Sequence, residues 1–129
     1  MSNEIKDKIR LELALDFQKA GLIDRAESIL IQLMNSNLYS HQALEMLLLI
    51  YQQDKNWGDA IETAKKLANS DFSFHTEVAQ FNCELAQEAI IKSSLIKAQE
   101  FAHTALETNR KCVRANILLG EVFYNLENY

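Results

Sequence analysis

Glu100 and His103 stand three residues apart and Glu107 follows one turn later, so on a helix a carboxylate and an imidazole share one face. That Glu-x2-His spacing ligates metal in four-helix di-iron proteins, which also need a second Glu-x2-His and two further carboxylates. The chain has no second copy of the motif. Ligand count therefore favours surface polar residues with helical charge pairing. Glu84 and Glu88, one helical turn apart, could act as paired acid and base only inside a pocket; no pocket motif accompanies them, and a solvated face is expected. Cys83 and Cys112 are too few for a disulfide framework and too far apart for a CxxC motif. With no obvious neighbouring base, each is expected as a small packed residue rather than a reactive thiol. His41 and His75 fall at helix beginnings, in turn or cap roles. No catalytic constellation emerges, and the expectation is a protein that is not an enzyme.

The elements that carry these residues follow from composition. The 129 residues are 48% hydrophobic and 24% charged, enough for one continuous core and roughly one domain. There is no proline and there are only three glycines, whereas strands and tight turns consume both at regular intervals. Long helices with short connections are expected. A net charge of -5, with lysines and arginines scattered, excludes the basic patch that nucleic acid or an anionic membrane requires. No stretch approaches the roughly 20 apolar residues that span a bilayer, and the N-terminal residues lack a signal-peptide core. Two cysteines and no secretion signal point to a soluble segment in a reducing, cytoplasmic compartment.

Apolar residues recur at helical spacing: Ile9, Leu13 and Phe17, then Ile23, Ala26, Ile29, Leu30 and Leu33, then Leu44, Leu47, Leu48 and Tyr51. Polar punctuation at Ala20-Gly21, Asn35-Asn37, Asp54-Asn56, Asn69-Asp71, Ser93-Ser94 and Thr108-Asn109 is expected to end helices through local side-chain bonds to the backbone. About seven helices of roughly 12 to 17 residues result. They repeat. Phe17-x3-Gly21-x-Ile23-x2-Ala26 aligns with Tyr51-x3-Lys55-x-Trp57-x2-Ala60, and Ala26 and Ala60 are 34 residues apart, the tetratricopeptide period. A third copy carries Leu85, Ala86, Ala89, Leu95 and Ala98, its key alanine 38 residues after Ala60. A longer connection around Asp71-Phe74 is expected to absorb the difference, since loops tolerate insertion. A fourth gives Leu119-Gly120-x2-Phe123-x5-Tyr129.

The pattern resembles a tetratricopeptide α-solenoid: all-α, antiparallel helix pairs in a right-handed superhelix, a single domain over 1-129 with repeats near 7-40, 41-74 and 79-112 and the first helix of a fourth over 113-129. Small residues (Ala14, Ala26, Ala60, Ala86, Ala98, Gly120) would let backbones approach, and Phe17, Tyr51, Trp57 and Phe123 would fill the space between pairs. Helix 113-126 would then expose apolar residues suited to a missing partner helix, an edge for self-association.

Register lists the residues facing the inner groove: Lys8, Leu11, Glu12, Leu15 and Gln18; Gln42, Glu45, Met46, Leu49 and Gln53; Gln80, Cys83, Glu84 and Gln87; Arg114, Ile117, Glu121 and Tyr124. The set mixes apolar, acidic and amide groups. It lacks the Lys and Asn pairs with which chaperone-binding tetratricopeptide domains clamp a terminal carboxylate. A protein partner is expected there, and neither nucleic acid, nor a small-molecule substrate, nor membrane.

Three local strings go further: Ala20-Gly21-Leu22-Ile23-Asp24-Arg25-Ala26-Glu27; Leu49-Ile50-Tyr51-Gln52 with Trp57 and Ala60-Ile61; and Phe81-Asn82-Cys83-Glu84-Leu85-Ala86. In this order, and over nearly the whole chain, they resemble the repeats of the lipopolysaccharide assembly protein B family, also called LapB or YciM. The resemblance implies an inner-membrane regulator of lipopolysaccharide synthesis in Gram-negative bacteria, its repeats on the cytoplasmic side, which promotes degradation of the LpxC deacetylase by the FtsH protease. It also implies a transmembrane anchor and a C-terminal rubredoxin-like metal domain with CxxC pairs; neither pattern occurs in these residues, so no cofactor is expected in this segment. An adaptor of another bacterial assembly or secretion complex is the alternative.

Overall fold

A computed structural model describes residues 3-127; Tyr129, the aromatic of the fourth copy, lies outside them. Among the described residues all regular structure is helical, in the order α1 (Asn3–Lys19), α2 (Ile23–Leu33), α3 (Ser40–Gln53), α4 (Trp57–Ala68), α5 (Phe74–Ile91), α6 (Leu95–Thr108) and α7 (Val113–Glu127). The chain divides into two compact units, Met1–Asn56 and Trp57–Tyr129.

The repeat is written in the backbone at the end of each first helix. Gly21, Lys55 and Ser93 all have positive φ, at 81°, 57° and 61°, and each follows α1, α3 or α5 by the same offset. In each case the next N–H reaches back five residues: Leu22 to the Phe17 carbonyl at 2.8 Å, Asn56 to Tyr51 at 2.9 Å, Ser94 to Ala89 at 2.8 Å. The positive-φ residue itself donates to Gln18, Gln52 or Ile90 at 3.1, 3.1 and 3.0 Å. This is the Schellman arrangement, which satisfies the last carbonyls of a helix. These three turns are thus closed by the same pair of main-chain bonds, at Asp54-Asn56 and Ser93-Ser94 as at Ala20-Gly21. Local side-chain bonds do shape the other connections. The Asp71 carboxylate accepts from the Ser73 N–H and hydroxyl at 3.0 and 2.7 Å, Asn109 Oδ1 accepts from the Lys111 N–H at 3.2 Å, and Ser36 Oγ accepts from the Tyr39 N–H at 3.2 Å.

The four extra residues of the third copy do not lengthen the loop at Asp71-Phe74. They extend the helix: α5 has 18 residues where α3 has 14, one additional turn.

In the first unit α2 packs against both α1 and α3. It buries Ala26, Leu30 and Leu33, spaced four and three residues apart as one helical stripe. Ala14 is the buried residue of α1, and Tyr51, also buried, donates its hydroxyl to Glu27 Oε1 at 3.3 Å, tying α3 to α2. Phe17 is only half-buried, with the Arg25 guanidinium 5.9 Å from its ring.

In the second unit α5 contacts α4, α6 and α7. Its core is a seam of small residues, Ala79, Cys83, Ala86, Ala102, Ala105 and Ala115, closed by Leu118 and Leu119; without bulk at these positions the helices approach closely enough to pack at interior density. Trp57 is half-buried rather than core, stacked on Phe81 with ring centroids 5.7 Å apart. Buried Thr63 and Asn82 bond to the carbonyls four residues back, of Asp59 and Val78, at 2.8 and 3.0 Å. On α7 two residues depart from the roles their repeat positions predict. Gly120 is exposed and a Cβ there would meet nothing within 4 Å, so no close approach requires it. Phe123 is 47% exposed and fills no space. It joins Val113, Ile117, Tyr124 and Leu126 as exposed apolar side chains on this helix.

Candidate partner-binding groove

Of the residues placed on the inner face by register, six meet in one place. Leu11 and Leu15 of α1 and Gln42, Glu45, Met46 and Leu49 of α3 line an open groove of about 330 Å³. The spacing explains the convergence. Leu11 and Leu15 are one turn apart, and positions 42, 45, 46 and 49 form an i, i+3, i+4, i+7 stripe. Leu11 and Met46 are half-buried and form the floor, while Leu15 and Leu49 stay 39% and 53% exposed. Adjacent Leu47 and Leu48 turn inward and are buried, so α3 is apolar on both faces. Glu45 Oε1 lies 2.7 Å from His41 Nε2 on the previous turn, which anchors this carboxylate at the rim. The volume sits at the low end of small-ligand pockets, but the groove is shallow, apolar below and polar at its edges, which suits one or two apolar side chains of a peptide segment. Lys8, Glu12 and Gln53 are exposed and Gln18 half-buried on the same two helices.

In the second unit the residues assigned to the inner face by register do something else. The Arg114 guanidinium, on α7, donates through Nη1 to Glu84 Oε1 at 2.7 Å and through Nη2 to Gln87 Oε1 at 2.6 Å, both on α5. Three candidate residues thus satisfy one another, and the Glu84 hydrogen bond raises the Arg114 pKa above its ordinary value. The same contact removes the suspicion of an acid–base pair, since Glu84 pairs with Arg114. Gln80, Ile117, Glu121 and Tyr124 are exposed, Ile117 and Tyr124 at 59% and 68%.

Cys83 was expected among the groove residues and is fully buried; it faces the alanine seam instead. There its sulfur lies 3.6 Å from that of Cys112, a meeting that a separation of 29 residues conceals. Burial, then the bond to Cys112, push the Cys83 thiol up to about 12, so it is protonated near neutrality. Glu100, His103 and Glu107 are exposed on α6, and among the described residues no three His, Cys, Asp or Glu side chains converge to hold a metal ion. Nor is any described helix long and apolar enough to cross a membrane.

No protein-family model matches the chain. It is 36% identical over 112 residues to lipopolysaccharide assembly protein B of Haemophilus influenzae, covering 86% of this chain and 28% of that protein. It is 33% identical over 113 residues to the protein of the same name from Escherichia coli K12, covering 87% of this chain and 29% of that one. The chain thus spans less than a third of the length of the curated relatives it matches.

Proposed function

We propose, on the premise that this chain belongs to the lipopolysaccharide assembly protein B family, that its helix pairs are tetratricopeptide-type repeats serving as a non-catalytic surface for another protein. The observation that carries this reading is the convergence of Leu11, Leu15, Gln42, Glu45, Met46 and Leu49 on one groove. Leu15 and Leu49 are apolar side chains left in water, available to be covered by a partner at a gain of roughly 25 cal/mol per Å² of apolar surface. The finer proposal is that the groove serves regulation of lipopolysaccharide synthesis: the full-length protein, anchored in the inner membrane with its repeats toward the cytoplasm and a rubredoxin-type metal domain elsewhere in its chain, brings the LpxC deacetylase to the FtsH protease. The relatives' name, lipopolysaccharide assembly protein B, supports the assembly role, and the all-helical repeat architecture supports a binding role over an enzymatic one.

The test is a titration of this chain against purified LpxC and, separately, the cytoplasmic portion of FtsH. Leu15→Asp and Leu49→Asp should each weaken the interaction at least tenfold, because a carboxylate would be desolvated against an apolar partner. Binding to either protein that is unaffected by both substitutions would place the contact elsewhere.

A further inference from the structure

The proposed surface leaves one buried pair of reactive groups unused. Cys83 sits in the middle of α5 and is fully buried; Cys112 closes the α6–α7 connection and is 8% exposed. Their sulfurs are 3.6 Å apart and both are thiols. Forming a disulfide requires the sulfurs to close to about 2.05 Å with Cβ atoms roughly 3.8 Å apart. A helix interior resists that movement, but Cys112 lies in the turn just ahead of α7, its N–H donating to the Asn109 carbonyl at 3.1 Å and its carbonyl accepting from the Asn116 N–H at a longer 3.5 Å. The pair shares its core cluster with Ala79, Ala86, Ala102, Ala105 and Ala115 as well as Leu118 and Leu119.

We propose that Cys83 and Cys112 form an oxidisable dithiol, a modification site at which a small organic disulfide converts two thiols into one intramolecular disulfide. Cys112, the less completely buried of the two residues, loses its proton and attacks the reagent; a Cys112 mixed disulfide forms and one reagent thiolate leaves. Cys83 then loses its proton and attacks the Cys112 sulfur, expelling the second reagent thiolate. Two electrons and two protons pass from the protein to the reagent, which ends as two thiols. The raised Cys83 pKa makes the second step slow near neutrality and faster as pH rises. The product joins α5 to the connection two residues ahead of Arg114, and so holds in place the helix whose guanidinium clamps Glu84 and Gln87.

The experiment incubates the folded chain with oxidised glutathione, then traps remaining thiols with an alkylating agent under acid-quenched, denaturing conditions and maps peptides by mass spectrometry. The expected result is a monomer lacking two hydrogens, with the Cys83 and Cys112 peptides linked, and, at equilibrium in a fixed mixture of reduced and oxidised glutathione, a linked-to-reduced ratio more than tenfold higher in the folded chain than in denaturant. The Cys83→Ala variant should stop with glutathione on Cys112, whereas Cys112→Ala should leave Cys83 unmodified; circular dichroism establishes that each variant is folded. Wild-type chain that stays fully reduced, accumulates only mixed disulfides or intermolecular dimers, or at equilibrium links no more when folded than in denaturant would overturn the proposal.

Discussion

The guanidinium of Arg114 forks onto Glu84 at 2.7 Å and Gln87 at 2.6 Å, joining α7 to α5 across 30 and 27 residues of chain. Both ends of the ion pair are about 30% exposed, so water weakens the attraction without abolishing it. Arg114→Met, which keeps the aliphatic stem, should cost about 1 kcal/mol. A double-mutant cycle with Glu84→Gln, read by urea unfolding, should give a coupling of up to about 1 kcal/mol. The raised Arg114 pKa has a definite sign: its contribution is fully present below the ordinary arginine value and is lost only as pH rises through the still higher folded one. The coupling should be constant through neutral pH.

Lys55 and Ser93 hold a conformation that glycine adopts without strain. A left-handed φ costs a non-glycine residue roughly 1–2 kcal/mol, partly offset by the greater chain entropy glycine loses on folding. Lys55→Gly and Ser93→Gly should each stabilise by about 0.5–1 kcal/mol. Gly21→Ala should destabilise by about 1 kcal/mol, and since an added Cβ would touch nothing, the whole cost is conformational. Thermal melts followed by circular dichroism measure all three.

Much of this fold was legible because helices announce themselves by period. The repeat offset could be read from Ala26 and Ala60, and Leu11, Leu15, Met46 and Leu49 could be placed on a shared face by counting turns. Less was legible where three-dimensional packing decides. Nothing in Lys55 or Ser93 announces a left-handed turn; only alignment with Gly21 hints at it. Cys83 counted as a groove residue because one helical step separates it from Glu84, and α5, which touches three other helices, has little face left for solvent. The Cys83–Cys112 and Arg114–Glu84 meetings depend on α5 and α7 lying side by side, which single-helix periodicity does not encode. The four-residue offset of the third copy suggests a longer loop because insertion is easier there on average, but the helix-compatible run from Phe74 absorbs it as an extra turn of α5.

Cys83 offers a prediction in pH, made under reducing conditions. Its thiol pKa is raised from 9.0 to about 12 by burial first and by Cys112 second. The folded state therefore retains a proton that the unfolded chain releases, and stability linked to this group is fully present below pH 9 and lost as pH rises toward 12. The wild-type chain should exceed a Cys83→Ala variant by a constant margin, about 1 kcal/mol from lost packing, up to pH 9. Above that the margin should shrink. A margin that grows with pH would mean Cys83 is not buried as a neutral thiol.

The binding account is tested most directly by position-specific photo-crosslinking. A photoreactive phenylalanine analogue replaces Leu49 in the groove, or His103 on the exposed face of α6, and the chain is irradiated with purified LpxC or FtsH cytoplasmic portion. Both sites are exposed, and neither replacement should shift stability by more than about 0.5 kcal/mol. The account predicts a crosslinked product from position 49, suppressed by Leu15→Asp in the same chain, and none from position 103. Efficient crosslinking from 103 with none from 49 would contradict it.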